Sequence, residues 1–126
     1  MGNLAALRLI SRNEIAEVLR KWQLGLLTAE HVHNWAGARY LHDDVDYDDE
    51  ENDEHSVANE VMAHLDLLDM NLMVAEDIPI YLEFLETPAG QFEQGCKKFN
   101  EALDRIEIEA RRQQLTHIPL YAPYCK

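Results

Sequence analysis

In five stretches between Ile15 and Ala110, apolar side chains return every three or four positions. This spacing constrains the fold most, because it is the period of a helix with one buried face. Ser11 and Glu14 make a Ser-x-x-Glu capping box ahead of Ile15, Val18, Leu19 and Trp22, and Gly25 offers a left-handed stop. That pattern predicts a first helix from Arg12 to Leu24. Thr28 can cap a second, with Glu30 in its first turn and Val32, Trp35, Ala36 and Tyr40 on one face. The short Gly-Leu-Leu link makes the two antiparallel neighbours, with Trp22 and Trp35 meeting in a common core.

Three further helices follow. Ser56 can cap one running from Val57 to Asn71, whose inner face is Val57, Val61, Leu65, Leu68 and Leu72. A shorter one begins near Glu76 or Asp77, with Pro79 in its first turn and Ile78, Tyr81, Leu82 and Leu85 inside. Thr87-Pro88 signals the start of a fifth. There Phe92, Phe99 and Ile106 recur every seven residues beside Cys96, Leu103 and Ala110. Gly90 and Gly95 weaken its first turns, which moves the firm part toward Phe92. The tail from about 115 to 126, with Pro119, Tyr121, Pro123 and Tyr124, reads as an extended arm lying on the bundle. No strand pattern is visible. The expectation is an all-α fold, one domain over 1–126, with about five helices and an acidic loop over 43–55 between the second and third.

A chain of 126 residues, 47% of them hydrophobic, can bury a core without staples. No run approaches the roughly 20 apolar residues of a membrane span. The N-terminal stretch lacks the basic cluster and cleavage site of a signal peptide. Gly2 is not followed by the Ser or Thr that myristoylation wants at position 6, which is Ala6, and Cys125 sits too near the end for prenylation. Cys96 and Cys125 form no CxxC and read as reduced thiols. A cytoplasmic protein of bacterial type is expected.

Charge is distributed unevenly. Thr28 to Gly95 holds 18 acids and one base, Arg39, so this stretch carries −17 of a total −13, and the two ends together carry +4. Of the twelve residues from Asp43 to Glu54, nine are acidic. Such a run repels itself and stays solvated. Nucleic-acid binding needs basic surface, and anionic lipid repels acids, so neither partner is expected. A basic protein is. Its predicted contacts are Asp43, Asp44, Asp46, Tyr47, Asp48, Asp49, Glu50, Glu51, Asp53 and Glu54.

A metal-binding protein is the alternative. An EF-hand begun at Asp44 would set Asp46 and Asp48 correctly, but it would put Asp49 where the turn needs glycine and His55 where a bidentate glutamate belongs. His42 and His55 flank the acid run, His31 and His33 diverge on a helix, and Glu60 and His64 share a face at i, i+4. No HExxH motif exists for a catalytic zinc site, and no pair of ExxH motifs exists for a di-iron site. The only serines, Ser11 and Ser56, are placed to cap helices, and Cys96 lies on an apolar stripe. No motif requires a cofactor, and a non-enzymatic role is expected. A third reading is homodimerisation through Leu26, Leu27 and the aromatic tail.

The stretch from Glu14 to Ala36 consists of a helix, the Gly25 turn, a Thr28-Ala29 start and Trp35 in the second helix. It resembles the opening helix pair of small bacterial proteins of the colicin D immunity type. The resemblance implies an acidic helical bundle that inhibits a cationic toxin nuclease by covering its substrate-binding surface. It spans about a fifth of the chain and rests on packing and turn residues. The acid run and the Tyr/Pro tail depart from the pattern, so no functional residue is transferred.

Overall fold

A computed structural model describes residues 8–40, 45–49 and 55–125. Helix α1 spans Arg12–Gln23; the Ser11 hydroxyl accepts the Glu14 amide at 3.0 Å, and Gly25, at φ +80°, ends it in the left-handed region. Helix α2 spans Ala29–Gly37 behind Thr28. Its capping box is unusual, because His31 Nδ1 rather than a glutamate accepts the Thr28 amide. Helix α3 covers Val57–Asp66, α4 covers Ile78–Leu85 after a 3₁₀ turn at Ala75–Asp77, α5 covers Phe92–Asp104, and α6 covers Ile108–Leu115. The described residues are thus mostly helical.

Four expectations about strands and helix ends need correction. First, a strand pair exists: β1 (Arg8–Ile10) runs parallel to β2 (Val45–Tyr47), pairing Leu9 with Asp46 and Ile10 with Tyr47. Three residues are too few to establish a period, although exposed Asp46 between half-buried Val45 and buried Tyr47 is the strand alternation in miniature. Second, the third helix stops at Asp66, not Asn71, and turns lead to Leu72 at φ +55°. Its whole predicted face is still buried. Third, Thr87 closes α4 instead of opening α5, donating its hydroxyl to the Phe84 carbonyl at 2.6 Å. Fourth, the fifth helix breaks between Asp104 and Ile108. The break exposes Ala110 and turns Arg111 inward instead.

Helix α2 packs on α3, α1 on α4, and α4 on α5. His33 Nδ1 lies 3.4 Å from the Leu65 carbonyl and its Nε2 3.5 Å from Asp69, while Gly37 faces Asp66, so α2 is held against the end of α3 and the turn after it. The centre of the core is Ile15, Leu19, Val32, Val61, Met62 and Leu65, all fully buried. Each large aliphatic side chain among them contributes about 1.5–3 kcal/mol. Trp22 is buried there, whereas Trp35 is only half-buried and carries the Arg39 guanidinium 5.1 Å above its ring. The tail coils instead of extending. It ends in a 3₁₀ turn at Ala122–Tyr124, with Tyr121 and Cys125 buried. None of the helices among the described residues is long and apolar enough to cross a membrane.

Candidate functional site

The acid segment is moored to the body at both described points. Strand β2 holds Val45–Tyr47, so Tyr47 points inward and Asp46 and Asp48 are exposed on either side of it. Burial, reinforced by Tyr40 and Asp46, pushes the Tyr47 pKa up to about 12, which keeps the phenol neutral. Asp49 turns inward as well. One of its oxygens accepts from Arg12 Nε at 2.7 Å and from the Ala58 amide at 3.0 Å, and the other accepts from the Ser56 hydroxyl. Burial alone would raise its pKa, but the hydrogen bonds from Ser56, Arg12 and Ala58 and the Arg12 charge outweigh it and hold the carboxyl below the ordinary range.

Arg12 also donates to the Leu85 carbonyl at 2.9 Å and to the Thr87 carbonyl, so one guanidinium joins the start of α1, the acid segment and the end of α4. Of the ten acid-segment residues predicted to meet a partner, Asp46 and Asp48 are outward, while Tyr47 and Asp49 serve the fold. Asp43, Asp44, Glu50, Glu51, Asp53 and Glu54 lie outside the described residues, as does His42.

Each described histidine except the exposed His117 has an internal contact. His31 caps α2, His33 bridges to α3, and His55 stacks on Phe92 with ring centroids 4.5 Å apart. His64 sits edge-on to Phe99 at 5.0 Å and to Tyr81 at 5.8 Å. Among the described residues no three His, Cys, Asp or Glu side chains gather closely enough to hold a metal. Glu60 and His64 therefore lack a third ligand there, and Asp49, at the position where an EF-hand turn needs glycine, is turned inward. Ser11 and Ser56 cap α1 and α3 as expected. Cys96 is half-buried, and burial with Glu60 and Glu93 nearby raises its thiol pKa, which lowers its reactivity.

Two clefts lined by described residues bear on function. The larger, about 550 Å³, lies between α4 and α5 over the stacked rings of Phe84 and Phe99. Its charges are mixed, with Glu83 and Glu86 on one wall and Lys97 and Lys98 on the other. The smaller, about 210 Å³, gathers His64 from α3, Asp77 and Tyr81 from α4 and its lead-in turn, and Arg111 from α6. Asp77 is buried and bidentate to Arg111, at 2.6 and 3.0 Å, and also accepts the Val74 amide at 3.0 Å. Arg111 donates to the Leu72 carbonyl too. Tyr81 Oη lies 3.3 Å from His64 Nδ1, and burial drives the Tyr81 pKa above its usual value and the His64 pKa below its own.

Sequence reasoning assigned Asp77 to a helix start and did not place Arg111 at all. The signal for Arg12 was present: a cation in the first turn of a helix opposes the helix dipole, so it needs a tertiary partner. No protein-family model, curated protein or solved structure matches this chain.

Proposed function

We propose that this chain is a non-enzymatic binding protein whose acidic surface engages a basic protein, in the manner of the immunity-type inhibitors that its first helix pair resembles. The observation that carries this reading is the mooring of the acid segment. Strand β2 and the Arg12–Asp49 pair fix its base, and Asp46 and Asp48 project from that fixed base. A preorganised array of like charges loses little entropy on binding and steers an oppositely charged partner into place. The surplus of 24 acids over 11 bases supplies the long-range field.

The partner is sought first among basic proteins encoded beside this one. Association rates are then measured by stopped flow from low to high salt, with the wild type and with Asp46→Asn/Asp48→Asn. Rates should fall steeply with salt, and the double variant should associate about tenfold more slowly at low salt. A partner that binds equally fast in both salts and to both proteins would remove the reading.

Exposed Leu24 and Leu26, 74% and 69% accessible, favour a second reading, self-association through the turn between α1 and α2. Leu27 and Tyr121 do not contribute to it, because both pack against the body. Sedimentation that stays monomeric from micromolar to millimolar concentration would exclude it.

A further inference from the structure

The smaller cleft combines features that packing alone does not require. Its volume of about 210 Å³ equals about seven waters at ~30 Å³ each, the size of a single-ring molecule with a small substituent. Leu103, Ile106 and Ile108 give it an apolar wall. Beside it, Leu72 is held at φ +55°, a conformation that a branched residue adopts only when its surroundings impose it. The Leu72 carbonyl is in turn gripped by Arg111. Strained backbone, a buried ion pair and a histidine–tyrosine pair thus converge on one cavity.

The hydrogen-bonding balance of the cleft limits what it can hold. The Asp77 carboxylate and the Arg111 guanidinium cancel each other, and three hydrogen bonds already occupy the carboxylate. An ionic ligand would leave one member of that pair facing a like charge. Tyr81 Oη has no other partner among the described residues, which makes it the natural donor to His64 Nδ1, and in that tautomer the neutral imidazole carries its own proton on Nε2. That nitrogen also has no protein partner among the described residues. Besides the remaining Arg111 N–H groups and the exposed Asn71 amide, the cleft thus offers one neutral ring N–H beside its apolar wall.

We propose that this cleft binds a small, uncharged, ring-containing molecule bearing one carbonyl oxygen, which accepts a hydrogen bond from His64 Nε2. The site is separate from the acidic surface and does not depend on its partner.

Acetophenone, ethylbenzene and benzoate serve as probes: a ring with a neutral acceptor, a ring with none, and a ring with an anion. Each is titrated into the full chain while the histidine ring ¹⁵N and isoleucine methyl resonances are followed. Acetophenone should shift the His64, Ile106 and Ile108 signals and bind about tenfold more tightly than ethylbenzene, the factor expected of one hydrogen bond. Benzoate should bind more weakly than acetophenone. His64→Phe keeps an aromatic ring between Tyr81 and Phe99, and it should abolish the preference for acetophenone over ethylbenzene. Ile108→Trp fills the cavity from a residue that is already 37% exposed, so the fold tolerates it, and it should abolish binding of both.

Equal affinity for acetophenone and ethylbenzene, tighter binding of benzoate, or acetophenone binding that survives Ile108→Trp would each overturn the proposal. Failure of acetophenone to bind up to its solubility limit would overturn it as well.

Discussion

Asp49 sits in a run of acids yet its charge is used inside the fold. It receives hydrogen bonds from Arg12, Ser56 and the Ala58 amide, and its side chain is 12% exposed. Asp49→Asn removes the countercharge of a guanidinium that is itself only 23% exposed, so stability should fall by about 2 kcal/mol in urea unfolding. The pH dependence has a definite sign. A carboxylate whose folded pKa is depressed contributes stability that is full above the unfolded value near 4 and is lost as pH falls through the lower folded value. The wild type should therefore lose stability below about pH 4, and the variant should lose less of it there. Equal acid limbs for the two proteins would show that Asp49 stays solvated. Nothing within the acid run singles out Asp49 from its neighbours. Only the partner residues, an arginine misplaced against a helix dipole and a serine with a spare proton, hint at it, and neither states how far away in sequence its acceptor lies.

Helix positions were legible because each helix carries its own period and caps. Ser11, Thr28 and Ser56 cap as their side chains predict, and the Val57–Leu72 face is buried even where the helix has ended. Breaks were not legible, because they arise from contacts between distant segments. Gly95 shows the difference. Read locally it weakens α5, but a Cβ there would overlap Thr87 Oγ1 and lie 2.6 Å from Thr87 Cγ2. The glycine lets the first turns of α5 approach the end of α4. Gly95→Ala gains about 1 kcal/mol of helix propensity and should still lower the thermal midpoint, with a net loss of about 1–3 kcal/mol from overpacking against Thr87. Adding Thr87→Ala should recover part of that loss. A Gly95→Ala protein more stable than wild type would mean that the two helices can separate freely. The strand pair was missed for a related reason, since three residues of each strand are stabilised by a partner 37 positions away and not by any local pattern.

Taken together, the segments before and after residue 90 are tied, among the described residues, by the nearly buried Asp77–Arg111 ion pair. Arg111→Met leaves the Asp77 carboxylate, 5% exposed, without its countercharge and should cost about 3–5 kcal/mol. Asp77→Asn combined with Arg111→Met should cost less than Arg111→Met alone, a non-additivity that calorimetry can read. The tail adds a second link, the Tyr121 hydroxyl donating to the Met73 carbonyl 48 positions earlier. These links have a consequence for the order in which the chain can fold. Arg111 follows Asp77 by 34 positions, so at about 5–20 residues per second a ribosome delivers the arginine about 2–7 s after the aspartate. During that interval α1 to α4 can form, but they cannot close over Asp77 without burying a bare charge. The nascent protein cannot finish its core until that cation, 34 positions behind, has followed the aspartate out of the ribosome.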